Sequence, residues 1–201
     1  MKRIIQFLIP ALIAVPLIFT GCKKGEDDPF ISLHTRKARV TGEWKMSSGT
    51  STDKFYDSAS QTTYNTSITY DGSSANESQT VTNGSGSTTN TSSYSFTQTI
   101  TFEKDGTFKN TTVDDGITTT AEGTWNFGAG VGDKKKKSEL VLTYTKTVND
   151  GMTYTYTGNE LTEVYYLKEL RNDKMVMVLD LKYTDSDGDT GEGKQEMTFE
   201  Q

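Results

Sequence analysis

"SYSFTQTITFEKDGTF", residues 93–108, decides how this chain folds. Tyr94, Phe96, Ile100 and Phe102 alternate with Ser95, Thr97, Thr99 and Thr101. Successive side chains of a strand point to opposite faces, so this period of two gives one apolar face and one hydroxylic face. A half-buried antiparallel strand has that pattern. Lys104-Asp105-Gly106 then supplies a turn, in which glycine takes positive φ without steric cost, and the chain returns through Phe108.

The pattern repeats outward from there. A turn at Asp114–Gly116 leads into "ITTTAEGTWNF" (117–127). "ELVLTYTKT" (139–147) and "MTYTYT" (152–157) flank a hairpin signal at Val148–Gly151. "LTEVYYLKEL" (161–170) and "KMVMVLDLKY" (174–183) flank "RND", and "KQEMTFE" (194–200) reads as the last strand. Counted from "GEWKM" (42–46), eight to ten strands are expected, joined by short turns. No stretch carries a convincing helical period. In 174–183 Met175, Met177, Leu179 and Leu181 alternate with Val176 and Val178, which predicts a strand buried on both faces. Residues 47–93 differ, being dense in Ser, Thr, Asn and Gly with sparse aromatics at Phe55, Tyr56, Tyr64 and Tyr70. Read as an insertion or long loops, this region predicts edge strands around 62–70 and 77–82, and a mobile polar stretch over 83–92.

The fold class implied is all-β, an antiparallel up-and-down barrel. Thr, Tyr, Ser and Phe abound, and β-branched and aromatic side chains suit a pleated, half-buried surface. Of the three prolines, Pro10 and Pro16 lie in the first sixteen residues, so little interrupts the strands.

The N-terminus carries its own message. Met1-Lys2-Arg3 is followed by the uncharged run Ile4–Thr20 and then Cys22, the single cysteine of 201 residues. A basic start, an apolar stretch and a small residue before the cut make a secretory signal, 1–21. The run is shorter than the ~20 apolar residues a spanning helix needs, and its prolines disturb a helix interior. "FTGC" (19–22) resembles the bacterial lipobox, with Phe19 where leucine is usual, and the charged "KKGEDDP" behind it looks like the tether of Bacteroidetes lipoproteins. That resemblance implies lipidation of Cys22 with palmitate-type acyl chains, a tether over 22–37, and anchoring to the outer membrane, with the periplasmic or cell-surface side left open. One acyl chain binds membranes only marginally, whereas the two or three of such lipoproteins hold firmly.

Cleavage before Cys22 removes Lys2 and Arg3 and takes the formal charge from −6 to −8. An acidic domain repels phosphate backbones, so nucleic acid is not an expected partner. No disulfide can form within the chain, and stability must come from packing and hydrogen bonds.

"VTGEWKM" (40–46) is expected to open the first strand. Gly42-Glu43-Trp44, followed by "TFEKDGTF", "GTWNF" (123–127), a Lys-rich turn and "LVLTY", resembles the lipocalin-like domain of Bacteroidetes lipoproteins over residues 38–201. The resemblance implies a barrel floor formed by Gly42 and Trp44, and non-catalytic binding of a small apolar or amphipathic ligand. Glycine lets the chain bend there, and the indole is large enough to plug the end. Lipocalins lay an arginine from the end of the barrel over this tryptophan. The final strand here offers only Lys194, and the nearest arginine in that part of the chain is Arg171. Alternation nominates Tyr94, Phe96, Tyr154, Tyr156, Tyr166 and Met177 as mouth and lining residues. The alternative is a surface interaction lipoprotein with a filled barrel, whose Ser/Thr-rich region faces partners or glycans.

No catalytic set assembles: His34, the single histidine, falls in the tether, and neither a thiol nucleophile nor a Gly-x-Ser-x-Gly elbow is present in the domain. An enzyme is not expected, nor is a cofactor. Asp185, Asp187, Asp189 and Glu196 echo a calcium loop, but Thr190 holds the place of the required glycine, and a solvated hairpin turn is the preferred reading. "DKKKK" (133–137) reads as a charged hairpin turn. "DSA" (57–59) resembles the short O-glycosylation motif of Bacteroidetes, which would place sugar on Ser58.

Overall fold

A computed structural model describes residues 34–129 and 138–201. The signal segment, Cys22, most of the tether and the Lys-rich turn lie outside the described residues. The described residues form one short helix and eleven strands: α1 (Arg36–Val40), β1 (Gly42–Asp57), β2 (Thr62–Tyr70), β3 (Ser74–Asn83), β4 (Gly86–Phe102), β5 (Thr107–Asp114), β6 (Ile117–Ala129), β7 (Ser138–Asn149), β8 (Met152–Thr155), β9 (Thr162–Leu170), β10 (Lys174–Thr184) and β11 (Thr190–Glu200). Neighbours pair antiparallel in chain order, and β11 returns to β1. The result is a closed up-and-down barrel of ten strands, with β8 added as an extra strand on the edge of β7.

The ring is not equally wide along its axis. Near α1, Gly42–Lys45 of β1 pair directly with Thr99–Phe102 of β4. From Gly49 to Asp57, β1 pairs instead with β2, and β3 then reaches β4 between Gly86 and Ser95. Eight strands therefore surround one end, and the inserted β2–β3 hairpin widens the other. The switch is marked by a bulge in β1 at Ser47, where Met46 pairs with Phe199 and Ser48 with Thr198. Barrel diameter grows with strand number, and eight strands enclose an interior that side chains can just fill.

The narrow end is filled. Trp44, Phe102, Leu140, Leu142, Leu167, Met175, Met177 and Phe199 are buried there. Phe102 meets Trp125 at 5.6 Å and 74°, and Trp125 meets Phe127 at 5.8 Å and 90°. Such pairs add about 0.5–1.5 kcal/mol to the burial of their area.

Three features depart from the sequence expectations. Val40 belongs to α1, not to the first strand. Thr35 caps the turn, its hydroxyl accepting from the Ala38 N–H at 3.2 Å, and Arg-Lys-Ala-Arg are good helix formers. Residues 83–92 are strand from Gly86 onward, and the 62–70 segment is internal, paired with β1 on one side and β3 on the other. Polar side chains do not prevent a backbone ladder: Thr80 and Thr89 share a hydroxyl bond of 2.9 Å, and Thr82 and Ser87 one of 2.7 Å. The Met175–Leu181 strand is buried on both faces only in its lower half, for Leu181 lies above the packed end and is 53% exposed.

Candidate functional site

The floor is closed from below by α1. Trp44 is fully buried, and its indole N–H donates to the Val40 carbonyl at 2.7 Å. Gly42 makes the bend before it, at φ +135°, a backbone setting that side chains rarely adopt. Buried Arg39, on α1, donates to the Leu170 carbonyl, a contact the strand pattern could not nominate. Arg36 lies 4.7 Å from the Phe127 ring centre, a cation–π contact. Arg171 is instead paired with the buried carboxylate of Glu169, which Lys174 also reaches at 2.9 Å.

Above the floor the interior changes character. Register and alternation carry the inward face up each strand from the buried residues. From Met177 and Leu179 it continues to Leu181 and Tyr183; from Trp125 and Ala121, to Ile117. Ala121 lies opposite Thr147, Thr147 opposite Tyr154, and so Tyr154 and Met152 share that face. Among the described residues, Ile117, Met152, Tyr154, Leu181 and Tyr183 are the large apolar side chains left exposed, each about half accessible, and all five sit on the inward face at the wide end. The Tyr183 ring lies over Gly191, where an added Cβ would come within 2.2 Å of it. Phe55 and Tyr64 stack on the same face with ring centres 6.0 Å apart, and Tyr70 meets Phe96 at 4.7 Å below them.

Polar groups are set among these rings. Tyr144 and Tyr165 both donate to Oε2 of Glu163, at 2.6 and 2.7 Å. Burial pushes both phenols well above the usual range, and for Tyr144 the neighbouring Tyr165 and Glu163 add to the effect. Tyr70 is pushed up to about 12, first by burial and then by Tyr94, Asp114 and Glu77. Tyr94 reaches Glu77 at 3.5 Å and is also raised, chiefly by burial.

The structure sorts the residues nominated from alternation. Tyr94, Phe96, Tyr154 and Tyr156 lie on the inward face, Phe96 and Tyr156 packed against the top of the core. Met177 points inward but sits in the eight-strand floor with no exposed surface, so it is core and not lining. Tyr166 alternates with buried Tyr165 and Leu167, and therefore faces outward. The β10–β11 turn holds its acids in local bonds: Asp185 Oδ1 accepts the N–H groups of Asp187 and Asp189, and Glu196 pairs with Lys168 at 2.8 Å. Ser58 bridges to this turn, donating its hydroxyl to Asp189 and to the Asp187 carbonyl.

The outer face carries a second concavity. A groove of about 940 Å³ crosses β3, β2, β1, β11 and β10, lined by Ser67, Thr80, Thr52, Lys54, Lys182 and Glu192 among others. Lys182 and Glu192 pair within it at 3.1 Å. Asp53, Thr66, Leu181 and Gly193, which alternate with these residues on the inward register, also border the groove.

No family model matches this chain, and no curated protein matches it.

Proposed function

We propose that this protein is a lipid-anchored, non-catalytic binding barrel of the bacterial outer membrane that takes a small amphipathic molecule at its wide end. The observation that carries the reading is the set of five exposed apolar side chains, all inward-facing, above a packed floor. Exposed apolar surface grouped in this way marks a binding region, and barrel mouths are a common place for one. An amphipathic ligand lays its apolar part against Leu181, Tyr183, Met152 and Tyr154, and offers its polar part to Tyr94, Glu77 and the Glu163 cluster. The anchor rests on the resemblance of residues 19–22 to a lipobox and on the lipid chemistry of Cys22. Replacing Cys22 with alanine releases the protein from membranes under this reading; unchanged membrane partition contradicts it.

The binding test uses an environment-sensitive amphiphile, anilinonaphthalene sulfonate, titrated into the protein and into a Leu181→Glu, Tyr154→Asp variant. Saturable fluorescence enhancement that the variant loses supports the reading, and equal enhancement in both contradicts it.

One observation favours a second reading, a surface interaction lipoprotein with a filled barrel. The outer groove is lined by hydroxyls, Asn65 and paired charges, which suit a hydrogen-bonding partner such as an oligosaccharide. Loss of glycan binding in a Thr52→Trp, Ser67→Trp variant, with the amphiphile titration unchanged, assigns the function to that face.

A further inference from the structure

The first half of β4 leaves one edge open. Residues 86–95 pair with β3 on one side, whereas β5 reaches only as far as Phe96, opposite Asp114. Among the described residues no strand covers the other side from Ser87 to Ser93, and every residue of that stretch is exposed. The two-residue turn Gly84–Ser85 makes Asn83 and Gly86 a hydrogen-bonded pair. Even-numbered residues then turn their backbone groups toward β3, and odd-numbered ones away from it. Two bonds lower in the strand confirm the phase: the Phe96 N–H donates to the Ser73 carbonyl, and the Ser95 carbonyl accepts from Asp115. Ser87, Thr89, Thr91 and Ser93 thus present four N–H and four C=O groups in a row.

Natural sheets blunt such edges with charge, proline, a bulge or shortness. Two other edges in this barrel are treated that way. The free upper edge of β10 carries Asp180 and Lys182, and β8 is four residues long. The β4 edge has none of these devices. No charged residue and no proline occurs between Glu77 and Glu103, and β4 pairs with β3 without a register shift.

We infer that this edge is an interface at which two copies of the chain pair β4 with β4 about a two-fold axis. One register engages every free group: Ser87 opposite Ser93 and Thr89 opposite Thr91 of the second copy, with Asn90 facing its own counterpart. It forms about eight inter-chain backbone hydrogen bonds. Thr faces Thr and Ser faces Ser across the seam, and cross-strand hydroxyl bonds already form in this barrel between Thr80 and Thr89 and between Thr82 and Ser87. The register also sets the neutral Asn83–Gly86 turn of one copy beside the acidic Asp114-Asp115 turn of the other, so two chains of net negative charge meet without facing like charges there. An isologous contact of this kind closes on itself and stops at two. The result is one continuous sheet that runs through both barrels and leaves both wide ends open.

The inference is independent of any ligand, and cysteine cross-linking tests it. Asn90→Cys in the full chain carrying Cys22→Ala leaves a single thiol. The axis places the two copies of residue 90 at a non-hydrogen-bonded position, about 4.5 Å apart at Cα, within the ~4.4–6.8 Å that a disulfide spans. With copper phenanthroline as oxidant, Asn90→Cys is expected to give covalent dimer, and Thr88→Cys, which faces position 92 of the other copy, is expected to give none. Thr91→Pro removes an edge N–H without touching the β3 ladder. It is expected to convert the dimer to monomer in sedimentation while the far-ultraviolet circular dichroism stays unchanged and the melting temperature loses its dependence on protein concentration. A monomeric parent, a dimer that survives Thr91→Pro, equal cross-linking at 88 and 90, or a different protein found on the edge overturns the inference.

Discussion

The Tyr144 phenol donates to Glu163 Oε2 at 2.6 Å, and the same oxygen accepts from Tyr165 at 2.7 Å. Both rings are buried, and Tyr144 also meets Phe108 edge to face at 5.2 Å. A carboxylate in this setting satisfies two phenols that the apolar wall cannot. Glu163→Ala strands both donors and is expected to lower stability by ~2–3 kcal/mol, while Tyr144→Phe removes one donor and costs about 1 kcal/mol. Urea denaturation of the two variants checks the order; a cost for Glu163→Ala no larger than for Tyr144→Phe contradicts the shared-acceptor geometry.

Alkaline pH should unlock the barrel in a defined window. Tyr70, Tyr144 and Tyr165 have folded pKa values above the ordinary 10.0, because burial penalises the phenolate. A group raised by folding contributes stability that is fully present below its unfolded value and is lost as pH rises through the folded one. For Tyr70 that window runs from the ordinary value to about 12. Absorbance near 295 nm follows phenolate formation, and near-ultraviolet dichroism follows the fold. Tyr144 and Tyr165 are expected to ionise only as near-ultraviolet dichroism collapses. A single unresolved ionisation step with the fold intact contradicts the buried cluster.

Acid acts through the turn that widens the barrel. Asp71, before the β2–β3 turn, accepts from the Ser73 and Ser74 N–H groups at 2.9 and 2.7 Å and from both hydroxyls, which holds its carboxyl far below the usual 3.8. The sign is opposite to that of the tyrosines: this contribution is present above the unfolded value and is lost as pH falls toward the folded one. Asp71→Asn is expected to lower Tm at neutral pH and to reduce the loss of Tm between neutral pH and pH 3. Calorimetry on both proteins checks it, and parallel Tm–pH curves contradict it.

The floor should respond as packed core. Trp44→Ala removes a fully buried indole and the bond to Val40, at an expected cost of about 3–5 kcal/mol. Gly123→Ala drives a methyl to within 2.1 Å of the Thr143 carbonyl oxygen, at the bulge opposite Tyr144. An overpacking cost of ~1–3 kcal/mol or more is expected there. Guanidinium unfolding curves measure both, and a neutral result at either position contradicts the close packing at that level.

Strand identity was legible because alternation is local: Tyr94 to Phe102 announces its two faces without reference to any neighbour. The Gly42–Trp44 floor was implied instead by the resemblance of its Gly-x-Trp to the opening strand of lipocalin-like domains. What could not be read depends on contacts distant in sequence. Arg39 meets Leu170 across the chain, and nothing around Arg39 signals that partner. The Ser/Thr ladder from Thr80 to Thr89 forms from residues whose composition alone suggests a loop. Met177 and Leu181 follow the same alternation, yet one is core and the other rim. The difference lies in the neighbours: the eight-strand ring closes around Met177, whereas β10 runs on past β9 to Leu181, which the period of two does not encode.

A filled floor lies beneath an open, apolar mouth, and the methionines report on both. Met46, Met175, Met177 and Met197 are buried at the floor, whereas Met152 is 57% exposed at the rim. With ¹³C-methyl methionine and a titrated amphiphile, the Met152 resonance is expected to shift saturably while those of the four floor methionines stay in place. A stationary Met152, or shifts that begin at Met177 and Met197, would contradict the central claim.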